Sequence, residues 1–512
     1  MNAKKIGFFL GPILFIVTRL FVDLEGLSDE GNAVLASTLW IAVWWITEAM
    51  PIAATSLLPI ILFPMSGALD ISETSSSYGH RYIFLYIGGF ILAIAIEKWN
   101  LHKRIALTII SLIGTEIKRL ILGFMIATAF LSMWISNTAT AVMMLPIGIA
   151  IIKQMKDLKS TEEDENLIFG KALMLSIAFS ASIGGLATII GTPPNLVFSG
   201  IVEEIYNIEI SFKEWFIFGF PISVLLLFIA WFYITNVAFR FKQTEFKEAD
   251  SEIKNQLKAL GPIRYEEKIV LSIFIITAVS WIIRKDVLNI FIPSLDDTMI
   301  ALFAGLSLFL IGSGDSNKEN KIMHWEDAVK LPWGILLLFG GGLAIAQGFQ
   351  TTGLANWIGL SMSQLDGFSV IIILIVIVTT VNFLTEITSN LATTAMLLPI
   401  LAPTAMVLDV HPFLLMVGAT LAASCAFMLP VATPPNAVVF GSNYLKIYDM
   451  VRVGIWMNIV SIIIIFLAVY FLLPGIWDFN AFEFPFDISV SYTHLRAHET
   501  PEHLVCRLLL EK

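Results

Sequence analysis

Two short polar strings interrupt otherwise apolar stretches of the chain and carry side chains suited to binding ions. They are Ser136-Asn137-Thr138 and Ser389-Asn390-Leu391. Hydroxyl and amide groups can donate hydrogen bonds to an anion, and their oxygens can also surround a cation. Irregular backbone at membrane depth is tolerated only where it is buried in protein or lines a cavity, so we expect each string to be the tip of a helical hairpin. The two tips are predicted to face each other.

The chemistry expected at such a tip is anion binding. A tip exposes the N-terminus of its second helix, where unpaired N–H groups and about half an elementary charge attract anions. Asn137 and Asn390 add amide donors, while Ser136, Thr138 and Ser389 add hydroxyl groups. Two such tips suit a substrate with two negative ends, or one compact divalent anion.

Two further strings are predicted to break helices and to free backbone oxygens for a cation. They are Gly191-Thr192-Pro193-Pro194-Asn195 and Ala432-Thr433-Pro434-Pro435-Asn436. Proline has no N–H group and cannot continue a regular helix, so the carbonyls before it lose their partners. With Ser, Thr and Asn oxygens they can form a neutral cage for a hard cation, as unwound carbonyls do for Na⁺ in secondary transporters. Neither tip contains Asp or Glu, which argues against a dedicated proton relay.

The composition of the whole chain places these strings in a membrane protein. The 512 residues are 57% hydrophobic and 14% charged, with a mean hydropathy of +0.82, whereas soluble domains carry about 25% charged residues. The two cysteines, Cys425 and Cys506, do not support a disulfide framework. The apolar segments contain no set of His, Cys and Asp ligands and no nucleophile–base pair. We therefore expect no enzymatic activity, no organic cofactor and no nucleic-acid partner.

The apolar runs predict an all-α polytopic protein with about eleven transmembrane helices and two re-entrant hairpins. The helices are expected near 6–22, 32–49, 52–69 and 82–97, from 171 to a break at 191–195, at 215–238, 269–283, 298–312 and 332–350, up to a break at 432–436, and at 452–473. Lys4 and Lys5 precede the first helix, and the loop 23–32 contains no Lys or Arg. The positive-inside rule therefore predicts a cytoplasmic N-terminus.

The charges that flank two apolar stretches predict the re-entrant hairpins. The stretch 120–152 has basic residues at both ends, which places both ends in the cytoplasm. Two crossings need about 20 residues each, so this stretch is too short for two and is predicted to enter and leave from the cytoplasm. The stretch 368–407 is flanked by segments without Lys or Arg, and we predict a hairpin that enters from outside.

The two halves of the chain repeat the same blocks in the same order. Gly88-Gly89 matches Gly340-Gly341 at an offset of 252, the tips match at 253, and the two Thr-Pro-Pro-Asn strings match at 241. Hairpins entered from opposite sides make this an inverted-topology repeat, as is typical of secondary transporters. Residues 1–239 and 269–478 are the predicted repeats, and 240–268 is a charged cytoplasmic linker. Residues 491–512, which contain three of the seven histidines, are predicted to be a non-native or disordered tail.

Two acidic residues lie within apolar segments and are candidates for a functional role on that ground. Glu48 lies at the Met50-Pro51 break, and Glu386 lies three residues before Ser389. For Glu386 we favour hydrogen bonds that brace the hairpin over direct ligation of a cation.

The block SCAFMLPVATPPNAVVFGS at 424–442 resembles the signature of the divalent anion/sodium symporter family, whose members carry dicarboxylates, citrate or sulfate with sodium. The resemblance spans about 5–475 and includes the paired tips and both Thr-Pro-Pro-Asn breaks. It implies a homodimer in the lipid bilayer, with scaffold domains and with transport domains that move like an elevator, and two Na⁺ sites. The expected function is sodium-coupled import of a C4-dicarboxylate such as succinate, fumarate or malate across a bacterial inner membrane. A sodium-independent dicarboxylate exchanger and a sodium-coupled citrate or sulfate transporter remain alternatives on the same fold.

The resemblance also implies ligands, residue by residue. The first Na⁺ site would use Ser132, Ser136, Asn137 and Gly191. The second would use Thr385, Thr388, Ser389, Asn390 and Ala432. Substrate carboxylates would meet Asn137, Thr138, Ser389, Asn390, Thr433 and Pro434. One departure from the family pattern is Leu391, which has no hydroxyl to donate where the first tip has Thr138, so the second carboxylate loses a contact.

Overall fold

The computed structural model of the chain describes residues 3–157, 163–241, 247–314, 320–361 and 369–485. The predicted tail at 491–512 lies outside these residues. The described residues form helices and no β-strand, with a single isolated bridge between Gly312 and Lys321.

Twelve helices precede the charged segment in the middle of the described chain, and thirteen lie within it or follow it. The first group is α1 (Ala3–Phe21), α2 (Asp29–Thr47), α3 (Ile52–Thr55), α4 (Leu58–Ser66), α5 (Ile71–Ser76), α6 (Arg81–Lys98), α7 (Leu101–Ile113), α8 (Ile117–Ser132), α9 (Asn137–Asp157), α10 (Glu163–Gly185), α11 (Pro193–Tyr206) and α12 (Phe212–Phe232). The second group is α13 (Lys247–Ala259), α14 (Tyr265–Ile283), α15 (Asn289–Phe291), α16 (Asp297–Leu310), α17 (Trp325–Ala328), α18 (Trp333–Thr351), α19 (Leu354–Ser361), α20 (Val370–Leu384), α21 (Asn390–Val407), α22 (Pro412–Ala423), α23 (Pro434–Phe440), α24 (Ile447–Leu467) and α25 (Leu473–Trp477). Short π-helical stretches prolong α12, α14 and α24.

Six helical stretches of the described chain are long and apolar enough to cross a bilayer. They are Ile71–Lys98, Glu165–Gly185, Phe212–Ala238, Trp333–Thr351, Asn390–Val407 and Ile447–Trp477. Shorter apolar helices of 10–17 residues accompany them. The prediction of an all-α polytopic membrane protein is confirmed.

The sequence-based bounds are wrong where a helix is amphipathic or rich in proline. Residues 101–113, which contain basic side chains and lie outside the predicted helices, form α7. Its buried residues Leu101, Ala106, Leu107 and Ile110 recur at helical spacing. The predicted linker 240–268 contains α13, which packs on α7 and α9, and α14 begins before 269. The predicted helix 52–69 is split into α3 and α4, because Pro59 in the first turn of α4 has no N–H group with which to continue the hydrogen bonds of α3.

Each stretch predicted to form a re-entrant hairpin contains two helices joined by a short turn, and their re-entrant course in a membrane stays a prediction. The first joins α8 to α9 through residues 133–136, and the second joins α20 to α21 through residues 385–389. The first arms, α8 and α20, have 16 and 15 residues and are about 24 and 22 Å long, which is less than the roughly 30 Å of a bilayer core. That the hairpins enter the membrane from opposite sides stays a prediction.

The two halves of the chain interlock around the helix breaks. Helix α10 packs on both arms of the first hairpin and also on α23, which belongs to the second half. Helix α11 packs on α21 and α22 of the second half in the same way. Each broken helix therefore joins its own hairpin to the elements of the other half.

Glycine permits the closest helix contacts, as expected for small residues at membrane helix interfaces. A Cβ atom on Gly88 in α6 would lie 2.5 Å from the carbonyl carbon of Ala301 in α16. Backbone atoms cannot move aside as a flexible side chain can. The α6–α16 packing therefore requires Gly88.

We expect Gly88→Val to destabilise the protein by about 1–3 kcal/mol, the usual cost of overpacking. The measurement is the melting temperature of the purified protein in detergent. Gly79→Ala is the matched control, because a Cβ atom there meets no atom within 4 Å. Equal melting temperatures for the two variants would contradict the assigned α6–α16 contact.

Candidate substrate and cation sites

A cavity of about 900 Å³ lies where the two hairpin tips and the two helix breaks come together. From the tips it is lined by Ser136, Asn137, Thr138, Ser389, Asn390 and Leu391, and from the breaks by Thr192, Pro193, Pro194, Ala432, Thr433, Pro434 and Pro435. All of the residues predicted to bind substrate therefore meet at one cavity. The two tips border the same space, as the sequence predicted.

Part of the cavity wall comes from elements that the motifs did not identify. The end of α2 contributes Trp45 and Thr47, and the start of α18 contributes Ile335 and Leu338. Only Glu48, which follows α2 and also lines the cavity, stood out in the sequence. The others are apolar or common residues in apolar helices, so their types gave no signal of a site.

Local hydrogen bonds explain why helices begin at the cavity. The Ser136 hydroxyl accepts a hydrogen bond from the Ala139 N–H at 3.3 Å and so satisfies one of the free donors at the start of α9. The Thr433 hydroxyl accepts from the Asn436 N–H at 3.3 Å in the same manner. The N-terminal ends of α9 and α21 carry partial positive charge toward the side on which an anion would bind.

Behind the first tip, the Asn137 amide meets a hydroxyl and two carbonyl oxygens. Asn137 Oδ1 lies 2.6 Å from the Ser132 hydroxyl and 3.2 Å from the carbonyl oxygens of Gly191 and Ala181. The Ser132 hydroxyl has one proton and also lies 2.6 Å from the Ala181 carbonyl. With the amide rotated, Asn137 Nδ2 donates to the Ser132 hydroxyl and to both carbonyls, and with its oxygen inward the same group presents only oxygens to a cation.

The chain keeps room in this cluster by using glycine. A Cβ atom on Gly185 would lie 2.7 Å from Asn137 Oδ1, and one on Gly191 would lie 2.5 Å from the Gly185 carbonyl oxygen. Neutral carbonyl, amide and hydroxyl oxygens are ligands that hard cations accept. The chemistry of these oxygens suits Na⁺, and we call the group the first cage (Ser132, Asn137, Ala181 and Gly191).

The second half repeats this arrangement behind the second tip. The Thr385 hydroxyl lies 2.5 Å from Asn390 Oδ1 and 2.9 Å from the Ala423 carbonyl. Thr385 and Asn390 follow Ser132 and Asn137 by 253 residues, the offset of the tips themselves. We call Thr385, Asn390, Ala423 and Ala432 the second cage, in which the inclusion of Ala432 rests on the family resemblance.

One asparagine in each half holds the unwound backbone next to its cage. Asn195 Nδ2 donates to the Thr188 carbonyl at 2.8 Å and to the Gly185 carbonyl at 3.2 Å. Asn436 Nδ2 donates to the Leu429 and Ala426 carbonyls at 3.0 and 3.3 Å. The sequence showed these residues as part of the breaks but did not indicate that their amides replace the lost helical hydrogen bonds.

The oxygens of the predicted Na⁺ ligands are not all available to bind a cation. Ser132 and Thr385 are fully buried behind the tips, whereas Ser389 and Ala432 line the cavity. Thr388 is different, because its hydroxyl lies 2.8 Å from the Leu384 carbonyl and 2.7 Å from the Thr393 hydroxyl. This back-bonding is a structural role and does not favour Thr388 as a cation ligand.

Comparison with known proteins agrees with the fold. The family model described as "Sodium:sulfate symporter transmembrane region" matches residues 4–476. The sodium-dependent dicarboxylate transporter SdcS of Staphylococcus saprophyticus is 50% identical over 478 residues, which are 93% of this chain and 92% of that protein. SdcS of Staphylococcus aureus strain USA300 is 50% identical over 476 residues, 92% of each chain.

A solved structure also has a similar fold. MtrF of Neisseria gonorrhoeae, whose structure is described as illuminating a class of antimetabolite efflux pumps, has a TM-score of 0.55 at 12% identity, covering 93% of this chain and 95% of that one. This likeness concerns the fold alone. The family match and the two staphylococcal relatives extend over nearly the whole chain, so the chain belongs to the sodium:sulfate symporter family and is a multi-pass membrane transporter rather than an enzyme.

Proposed function

We propose that this protein imports a C4-dicarboxylate such as succinate, fumarate or malate together with Na⁺ across a bacterial plasma membrane. The observation that carries the proposal is the pair of cages, each with a hydroxyl, an amide and carbonyl oxygens, behind two tips that border one cavity. The staphylococcal relatives are named sodium-dependent dicarboxylate transporters, which supports both the ion and the substrate class.

The substrate carboxylates are bound by the tips in this proposal. Asn137 and Thr138 bind one carboxylate, and Ser389 and Asn390 bind the other, with Thr433 and Pro434 closing the wall beside them. Charge-assisted hydrogen bonds from amides, hydroxyls and helix N-termini are the strong kind. The proposed contacts to the carboxylates include no Lys or Arg side chain. Because the substrate forms no salt bridge with the protein, it can be released readily.

Coupling follows from the double role of the tip asparagines. With Na⁺ in the first cage, Asn137 Oδ1 points into the cage and its NH₂ group is left for the substrate. Without Na⁺, rotation of the amide lets nitrogen donate to Ser132, Gly191 and Ala181, and the oxygen turns away from the cage. An amide oxygen repels a carboxylate, so anion binding depends on Na⁺.

The membrane potential explains why a dianion needs cations. Moving one elementary charge across 100 mV changes its free energy by about 2.3 kcal/mol. Entry of a dianion into a negative-inside cell is therefore opposed by about 4.6 kcal/mol per 100 mV. Two Na⁺ cancel this term, and a third makes uptake electrically favourable.

The side on which the cavity opens is part of the proposal. Glu48 lines the cavity and lies 3.3 Å from Lys4, next to the N-terminus that the sequence places in the cytoplasm. Pro332 lines it too, just after the basic residue Lys330. In this proposal the cavity opens to the cytoplasm, and the protein is an elevator-type transporter that functions as a homodimer.

Proteoliposomes test the function directly. We expect labelled succinate to accumulate under an inward Na⁺ gradient in vesicles that contain no internal dicarboxylate. Equal accumulation when K⁺ or H⁺ replaces Na⁺ would exclude sodium coupling. A strict need for internal dicarboxylate would show an exchanger, and competition by citrate or sulfate at lower concentration than succinate would change the assigned substrate.

The tip asparagines supply a second test. Asn137→Ala and Asn390→Ala are each expected to reduce sodium-driven uptake by about a hundredfold or more, because each removes a cage oxygen and a donor to a charged group at once. Asn480→Ala is the control, since Asn480 is exposed and bonds to Glu483 away from the cavity. Uptake near the unmodified rate by both tip variants would remove the tips from the site.

The two tips differ at one position, which gives a prediction on affinity. Leu391 lines the cavity and is 5% exposed, whereas the first tip has the exposed hydroxyl of Thr138. We expect Leu391→Thr to lower the KM for succinate and Thr138→Val to raise it, each by about tenfold, as one hydrogen bond to a charged group is gained or lost. Unchanged KM values in both variants would show that neither position contacts substrate.

A further inference from the structure

Glu386 is a buried carboxylate at the start of the second hairpin turn, and it is only 3% exposed. Its Oε1 accepts hydrogen bonds from the N–H groups of Phe427 at 2.8 Å and Met428 at 3.0 Å, and its Oε2 accepts from that of Leu429 at 2.9 Å. The Asn458 amide donates a fourth bond to Oε1 at 2.7 Å. These bonds agree with the bracing role favoured from the sequence and hold an ionised carboxylate in place.

The charge of Glu386 has no cationic partner within the described part of the chain. No Lys, Arg or His nitrogen of those residues lies within 4.0 Å of it. Two other buried acids behave differently, since Glu267 pairs with Arg104 and Asp297 pairs with Arg284. Buried charges are normally paired or coordinate a metal ion, so the lone carboxylate points to a bound cation as its partner.

Glu386 is joined to the second cage along the backbone on both sides. It follows Thr385, whose hydroxyl belongs to the cage. On the other side it holds the N–H of Leu429, whose carbonyl accepts from Ala432 N at 3.2 Å and from Asn436 Nδ2 at 3.0 Å. The carboxylate therefore fixes the loop that ends at the cage residue Ala432.

The first half has no such charge. Met133 occupies the equivalent position, 253 residues before Glu386. The N–H groups of Leu186 and Ala187 bond to carbonyls within their own turn, and the Thr188 hydroxyl donates to the Met133 carbonyl at 2.5 Å. The first cage is built from neutral groups alone.

We propose that Glu386 is the positioning residue of the second cage and the built-in counter-charge for the Na⁺ bound there. The two cages are then unequal, and the second binds Na⁺ more tightly because a fixed negative charge in a low-dielectric site stabilises a nearby cation. The inference rests on the proposed function, since it assumes that the cages bind Na⁺.

Binding of radioactive Na⁺ to the purified protein, without substrate, separates the two cages. Ser132→Ala disables the first cage and leaves the second as the reporter, and Thr385→Ala does the reverse. Added to Ser132→Ala, Glu386→Gln is expected to weaken the remaining Na⁺ binding by about tenfold or more. Added to Thr385→Ala, it should change the remaining binding by less than about twofold.

A charge relocation distinguishes the electrostatic role from a purely structural one. Asn458 both donates to Glu386 and accepts from the Phe427 N–H through Oδ1 at 3.1 Å. The double variant Glu386→Gln/Asn458→Asp therefore retains one negative charge and the hydrogen bond between the two side chains with donor and acceptor exchanged, while the Gln NH₂ group no longer accepts from the Phe427 and Met428 N–H groups. In the Ser132→Ala background it is expected to recover Na⁺ binding to within about threefold of the value with Glu386 intact.

The contradicting outcomes differ for the two proposals. If Ser132→Ala and Thr385→Ala leave Na⁺ binding unchanged, the cages themselves are wrong, and Glu386 loses its role with them. If the cages respond but Glu386→Gln weakens both alike or neither, only the assignment of Glu386 is overturned. If Glu386→Gln does not fold, the double variant decides, since failure to fold or to bind Na⁺ would contradict the counter-charge.

Discussion

The structure depends on how backbone that has left its helix is satisfied inside an apolar protein. Unpaired carbonyl and N–H groups are costly in the absence of water, yet α10–α11 and α22–α23 are each interrupted at the centre of the molecule. Asn195 and Asn436 take over part of the lost hydrogen bonding. The carbonyls that remain face a hydroxyl and an amide, and in the proposed function these neutral groups bind the cation.

The duplication of the chain preserves this geometry while the side chains have diverged. Equivalent hydrogen bonds recur at the offsets that separate the sequence blocks, so the two halves share one solution to the same backbone problem. The first half uses Gly185 and an uncharged turn, whereas the second uses Ala426 and the carboxylate of Glu386. The tips differ as well, since Thr138 in the first tip and Leu391 in the second occupy equivalent positions and both line the cavity. A pseudo-symmetric fold therefore presents an asymmetric site.

The fold class and many of the residues that line the cavity could be predicted from the sequence, because the informative residues are conspicuous there. Polar tips and Thr-Pro-Pro-Asn strings stand out against apolar helices, and they locate the cavity correctly. The helix α7 could not be found in the same way, since its basic residues hide a buried apolar face that a search for long apolar runs does not detect. The contributions of Trp45 and Leu338 to the cavity depend on packing between distant segments, and their residue types carry no such information.

In the proposed function the same residues bind the ion and the substrate, so the chain can couple them without moving a large element at the binding step. Asn137 and Asn390 each have one oxygen and one NH₂ group. If the cage claims the oxygen, the NH₂ group is available to an anion; if the cage is without a cation, its acceptors compete for the NH₂ group instead. In this proposal the orientation of the amide is a small two-state element that Na⁺ biases, and a ligand can shift such an equilibrium only through its different affinity for the two states. Thermodynamic reciprocity then requires that bound dicarboxylate hold Na⁺ more tightly in its turn.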